Sequence, residues 1–73
     1  MRYTVILERD PEGLVVAHVP ALRGCVSQGK NKREALRNVK EAIALYVETL
    51  IENGQAVPVE SGREIVELSV VGK

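Results

Sequence analysis

A long amphipathic segment between residues 31 and 54 restricts this chain to folds built around one helix. Its apolar residues recur at alternating steps of three and four, which places them along one face of a helix. That face comprises Leu36, Val39, Ile43, Tyr46 and Leu50, widened by Ala35, Ala42, Val47 and Ile51. Asn31 is a favourable N-cap with Glu34 three residues later, and Asn53-Gly54 provides a favourable stop.

Short segments rich in β-branched residues lie on both sides of this helix and are typical of strands. We predict strands over residues 3–9, 14–19 and 25–28 before the helix, and over residues 64–71 after it. Asp10-Pro11-Glu12-Gly13 predicts a tight turn, because Pro11 presets φ and Gly13 tolerates positive φ. The order β-β-β-α-β, in a single domain over residues 1–73, predicts an α+β fold. Its antiparallel-rich sheet carries the one long helix on one face.

The chain is too small to gain a wide stability margin from its own core. It has 73 residues with neither Trp nor Phe, and a domain of this size buries only about 60% of its unfolded surface. Cys25 is the only cysteine, so no disulfide strengthens the fold. We therefore expect a homo-oligomer, either a dimer or a tetramer. No segment resembles a membrane helix or a signal peptide, so we expect a cytoplasmic protein.

Two groups of residues resemble parts of reactive sites, and neither is complete. His18 and Cys25 flank a corner at residues 20–24, but nothing orients the imidazole or supplies an oxyanion site. Glu8, Asp10 and Glu12 are clustered, yet two of them belong to the predicted turn, where charges are usually solvated. We therefore predict no catalytic residues, no metal site and no cofactor, and we expect a protein that is not an enzyme.

The middle of the chain carries a series of Gly, Pro and capping residues that becomes specific when taken in order. It runs through Asp10-Pro11-Glu12-Gly13, Val19-Pro20-Ala21-Leu22-Arg23-Gly24-Cys25, Gln28-Gly29, Glu34-Ala35-Leu36-Arg37-Asn38, Glu41-Ala42-Ile43, Gly54 and Pro58. The series resembles the HicB-like antitoxin family of type II toxin–antitoxin systems. The resemblance implies a partial RNase H-like fold without the catalytic carboxylates of that enzyme.

The resemblance also implies a function in binding. Members of the family neutralise a small mRNA-cleaving toxin by covering its active site, and many carry a further C-terminal DNA-binding segment. Here only residues 59–73 follow Pro58, and their pattern indicates one strand. We therefore expect a short single-domain form without the DNA-binding segment.

The charges of the helix follow an order that local helix stability does not explain. Its first half and the residue before its cap carry the cations Lys30, Lys32, Arg33, Arg37 and Lys40, and its second half carries Glu41, Glu48 and Glu52. Cations at the positive end of the helix dipole and carboxylates at its negative end each cost up to a few tenths of a kcal/mol. The order indicates either a freely solvated surface or a surface that recognises a partner.

Leu45 lies roughly opposite the apolar face of the helix, among these charges. We predict that the partner binds Leu45, Glu41, Glu48 and Glu52, and that a small basic ribonuclease toxin meets this acidic half. The alternative is a solitary nucleic-acid-binding regulator that uses Lys30, Lys32, Arg33, Arg37 and Lys40. The zero net charge and the lack of an aromatic run argue against direct binding to nucleic acid.

Overall fold

A computed structural model describes residues 2–59, which form a three-stranded antiparallel sheet followed by one long helix. The strands are β1 (Ile6–Arg9), β2 (Val15–His18) and β3 (Val26–Gly29), and the helix is α1 (Lys32–Glu52). The sheet order is β1-β2-β3, so β2 is the central strand. The predicted α+β fold is confirmed, although β1 begins at Ile6 rather than Tyr3. The strand predicted over residues 64–71 lies outside the described residues.

The turn between β1 and β2 forms where the sequence predicts it. The Gly13 N–H donates to the Asp10 carbonyl at 2.9 Å, and Gly13 has a φ of 92°. The Asp10 carboxylate also accepts the backbone N–H groups of Glu12 and Leu14, each at 2.9 Å. This side-chain turn sets the register that pairs Leu7 with Ala17 across the two strands.

The corner between β2 and β3 contributes to the core as well as reversing the chain. The Leu22 N–H donates to the Val19 carbonyl at 3.0 Å, and the Cys25 N–H donates to the Leu22 carbonyl at 2.9 Å. These bonds fold Leu22 inward, where it is fully buried. The sequence predicted only a break at residues 20–24, so the core position of Leu22 is an addition from the structure.

The core lies between the sheet and α1. Val15 and Ala17 alternate along β2 and point towards the helix, where Ala35 and Val39 are buried against them. A close approach at Gly29 determines this packing, because a Cβ there would lie 2.5 Å from the Ala35 nitrogen. The strand and the first turn of α1 therefore fit together only with small side chains at the contact.

The apolar face of α1 differs from the predicted one at two residues. Leu36 is 38% exposed and Ile51 is 63% exposed, so their assignment to the inner face is wrong. Because Gly29 has no side chain, the first turn of α1 approaches β3 closely at Ala35. Leu36 then lies at the margin of the contact between α1 and the sheet. The helix α1 spans 21 residues, and Ile51 follows the buried Ala35 by 16 of them. At 3.6 residues per turn this places Ile51 about 160° around the helix axis from Ala35, so its side chain faces away from the core.

Both ends of α1 are capped as predicted. The Asn31 side chain accepts the Glu34 N–H at 2.8 Å. The Glu34 carboxylate reaches back to the Lys30 N–H at 2.6 Å, one residue before the usual capping-box partner. At the other end Gly54 has a φ of 70° and its N–H donates to the Ile51 carbonyl at 3.0 Å. These caps fix where the helix begins and ends relative to β3.

Candidate partner-binding surface

The predicted partner-binding residues lie on one exposed ridge of α1. Glu41, Leu45, Glu48 and Glu52 follow one another at steps of four, three and four, which aligns them along the helix. All four are exposed, and Leu45 exposes 63% of its surface. We call these four residues the acidic ridge. Within residues 2–59 the one ion pair joins Arg37 to Glu34 at 3.8 Å, so the carboxylates of the ridge have no cationic partner in this part of the chain.

The predicted nucleic-acid-binding cations are exposed but do not form a single patch. Arg33, Arg37 and Lys40 are spaced by four and three residues and form one stripe, which we call the basic stripe. Lys30 precedes the helix, and Lys32 lies about 140° around the helix axis from Arg37. Because Arg37 also pairs with Glu34, the local positive charge is partly offset.

An apolar groove of about 300 Å³ separates the second half of α1 from the start of β3. Gly24, Cys25 and Val26 line it from the strand side, and Leu45, Tyr46 and Thr49 line it from the helix. Val26 is 55% exposed at its edge, and the Tyr46 hydroxyl donates to the Arg23 carbonyl at 2.8 Å. We call this feature the β3 groove. Leu45 belongs both to the groove and to the acidic ridge.

The structure does not bring His18 and Cys25 together. Cys25 is buried on the core side of the sheet, level with Val19, whereas strand alternation directs the His18 side chain to the opposite face. Burial also raises the pKa of the Cys25 thiol, because desolvation disfavours the thiolate. The arrangement therefore suits a packing role for Cys25 and gives it no activating base.

The clustered carboxylates of the first hairpin do not form a metal site. Among residues 2–59, no group of three or more His, Cys, Asp or Glu side chains is placed to hold a metal ion. Asp10 instead organises the turn with its carboxylate, while Glu8 and Glu12 are exposed. No helix in this part of the chain is long and apolar enough to cross a membrane.

Sequence reasoning missed two residues that shape the surface beside β3. The Asn38 side-chain amide donates to the Gln28 carbonyl at 2.8 Å, which ties α1 to the strand edge. Val26 is the other, because strand alternation directs its side chain, like that of the paired His18, to the face of the sheet opposite α1. Helical periodicity places Asn38 at the edge of the apolar face of α1. Its hydrogen-bond partner, however, depends on how β3 lies against α1.

A family profile and several individual proteins are similar to this chain over most of its length. The profile of the family described as HicB-like antitoxin of bacterial toxin–antitoxin system matches residues 3–69. A UPF0150 protein of Thermoplasma acidophilum is 49% identical over 65 residues, which cover 89% of this chain and 94% of that protein. A UPF0150 protein of Synechocystis is 50% identical over 58 residues, which cover 80% of this chain and 73% of that protein.

A solved structure agrees with the sequence matches. The crystal structure of the N-terminal domain of the Burkholderia pseudomallei antitoxin HicB matches this fold with a TM-score of 0.75 at 32% sequence identity. The match covers 86% of this chain and 74% of that domain. Together with the profile, which spans the sheet, the acidic ridge and the β3 groove, this similarity shows that the chain belongs to the HicB-like antitoxin family of bacterial toxin–antitoxin systems.

Proposed function

We propose that this chain neutralises a small, basic, mRNA-cleaving toxin by covering the toxin's active site, without catalysing a reaction itself. Membership of the antitoxin family supports this role, and the solved relative is itself a domain of an antitoxin. Because mRNA is the substrate of such a toxin, we place this activity in the cytoplasm.

The acidic ridge is the observation that carries the proposal. Its carboxylates have no cationic partner within residues 2–59, so their negative charge is available to attract a partner from solution. A protein that cleaves RNA must attract phosphate groups, and its active site therefore presents cations. Three carboxylates along α1 would attract such a surface at long range and reject acidic proteins. Leu45, exposed between them, would add the apolar burial that charges alone do not provide.

Reversing the charge of the ridge tests this proposal. The toxin is sought as the product of the neighbouring reading frame, a short basic chain. In a variant carrying Glu41→Lys, Glu48→Lys and Glu52→Lys, we expect toxin affinity measured by calorimetry to fall by at least about a hundredfold, because attraction becomes repulsion. We also expect toxin cleavage of mRNA to resume in the presence of this variant.

The matched control reverses three charges on the basic stripe instead. A variant with Arg33→Glu, Arg37→Glu and Lys40→Glu changes as many charges on the same helix, and we expect it to bind the toxin as well as the natural chain or better. If the acidic-ridge variant folds normally and still binds with unchanged affinity, the assignment of the ridge is wrong.

The basic stripe supports the alternative, a regulator that binds nucleic acid through Lys30, Lys32, Arg33, Arg37 and Lys40. The same two variants distinguish it. Steeply salt-dependent RNA binding that is lost in the basic-stripe variant and kept in the acidic-ridge variant would favour this function. We rank it second because only three of the five cations align, and one of those is paired with Glu34.

A further inference from the structure

We infer that the β3 groove receives one large apolar side chain from a helix of the toxin, and that cations on the same helix pair with Glu41 and Glu48. This inference rests on the proposed function and names the part of the toxin that binds. The observations that carry it are the internal hydrogen bonds of the groove, its volume, and the spacing of the carboxylates beside it.

The walls of the β3 groove present apolar surface, and their hydroxyl groups are already bonded within the chain. Among the described residues that line the groove, Tyr46 and Thr49 are the two with side-chain hydroxyls. The Tyr46 hydroxyl donates to the Arg23 carbonyl at 2.8 Å, and the Thr49 hydroxyl donates to the Leu45 carbonyl at 2.9 Å. Because both donors are used, a polar acceptor entering the groove would lose its hydrogen bonds to water without replacing them. An apolar group would instead gain free energy by leaving water.

The volume of the groove suits one side chain better than a whole small molecule. Cavities that bind drug-sized ligands measure about 300 to 1,000 Å³ and enclose most of the ligand surface. The β3 groove, at about 300 Å³, lies at the lower limit and is open to solvent along one side. A side chain carried by a protein fits such a groove, because the rest of that protein covers the open side.

The acidic ridge borders the groove along α1. Leu45 belongs to both features, Glu41 precedes it by four residues, and Glu48 follows it by three. An apolar side chain that enters beside Leu45 therefore brings its own neighbours close to two exposed carboxylates, which attract cations. The corner on the strand side carries the exposed Arg23 instead, so the negative charge lies on the helix side of the groove.

The spacing of the two carboxylates favours a helix as the binding element of the toxin. Glu41 and Glu48 are seven residues apart on α1, or about 10.5 Å along its axis. A helix lying along α1 repeats this spacing with cations two turns apart, and a residue midway between them lies on the same face. On one face of a strand, side chains are about 6.6 Å or 13 Å apart, and neither distance matches.

A basic toxin fits this surface better than a second copy of the chain. The chain has a formal net charge of zero, so a second copy brings no overall attraction to the acidic ridge. A protein that cleaves RNA carries an excess of cations, because it must bind phosphate groups. The groove and the ridge together would therefore select a helix with one large apolar residue between two cations.

Filling the groove tests this inference with the purified toxin encoded by the neighbouring reading frame. Thr49 is exposed on the wall of the groove, so Thr49→Trp occupies the space without removing a charge. We expect this variant to bind the toxin at least about tenfold more weakly by calorimetry. Ile51→Trp is the matched control, because Ile51 is exposed near the same end of α1 but does not line the groove, and its affinity should be unchanged. Urea titration checks that both variants fold.

The outcome also separates this inference from the proposed function. If Thr49→Trp binds the toxin with unchanged affinity while the acidic-ridge variant loses it, the groove does not hold the toxin and the proposed function stands. If the natural chain does not bind the toxin at all, both proposals fail.

A second variant distinguishes apolar contact from hydrogen bonding at Thr49. Thr49→Val removes the hydroxyl with little change in shape. Because that hydroxyl donates to the Leu45 carbonyl rather than to a partner, we expect the affinity for the toxin to change by less than about twofold. A loss as large as that of Thr49→Trp would mean that the toxin needs the hydroxyl, and the apolar side chain in the groove would be the wrong interpretation.

Photo-crosslinking identifies the occupant of the groove. Chemical synthesis of the 73-residue chain allows a diazirine analogue of leucine to replace Leu45, or Ile51 as the control, with little change in shape. From the Leu45 position we expect a crosslink to a toxin segment in which a large apolar residue has Lys or Arg three or four residues away on each side. A crosslink to a second copy of this chain, or to a toxin segment without that pattern, would overturn the inference.

Discussion

The inner and outer faces of α1 belong to one helix but satisfy different requirements. On the inner face Ala35, Val39 and Tyr46 fit against β2, β3 and the corner, and each is explained by a contact inside the chain. On the outer face the acidic ridge and the basic stripe have charges that oppose the helix dipole. Residues that the fold requires and residues that are available to a partner should therefore differ in how much their replacement changes the free energy of unfolding.

The largest expected effect concerns the contact between Gly29 and the first turn of α1. A Cβ at this position would lie 2.5 Å from the Ala35 nitrogen and 2.8 Å from the Glu34 carbonyl carbon, both of which are backbone atoms. We expect Gly29→Ala to lower the free energy of unfolding by about 3 kcal/mol, measured by urea titration. Gly54→Ala is the control, because Gly54 needs positive φ but has open space around it. This substitution should lower the free energy of unfolding by about 1 kcal/mol. Equal costs would mean that the close approach is not limiting.

The next prediction compares one residue from each face. Val39→Ala should lower the free energy of unfolding by about 2 kcal/mol, because Val39 is fully buried between α1 and β2. Leu45→Ala removes a larger side chain, but it should change the free energy of unfolding by less than about 0.5 kcal/mol, provided the protein is dilute enough to be monomeric. A large loss from Leu45→Ala under those conditions would place this residue in the core and remove it from the partner surface.

The smallest expected effect is a gain in stability. The last turn of α1 carries Glu52 and no basic residue, and Glu48 is a like charge one turn earlier. We expect Glu52→Lys to raise the free energy of unfolding by about 0.5 kcal/mol, because a cation suits the negative end of the helix dipole. Thermal unfolding at low salt measures the change, and it should shrink as salt is added. A decrease in stability would show that Glu52 has a role inside the fold.

Local chemistry was enough to predict the parts of the fold that short-range contacts determine. The Asn31 cap, the Gly54 stop and the Gly13 turn each depend on a few neighbouring residues, and each is confirmed. The family also followed from the order of such residues along the chain.

Features that depend on how elements meet were missed or misplaced. Leu36 was assigned to the inner face because helical periodicity does not include the close approach at Gly29, which rotates the contact towards Ala35. The burial of Leu22 depends on hydrogen bonds within the corner, and the exposure of Val26 depends on which face of the sheet α1 covers. The alignment of Glu41, Leu45 and Glu48 followed from spacing alone, whereas the groove beside Leu45 required the position of β3.

Leu45 lies where the acidic ridge meets the β3 groove, and this has a consequence for the kinetics of the proposed toxin binding. Charges act at a distance and weaken as salt is added, whereas an apolar side chain contributes only once a partner's surface fits against it. Under the proposed function, the carboxylates of the acidic ridge would therefore govern how fast a toxin arrives, and Leu45 would govern how long it stays bound.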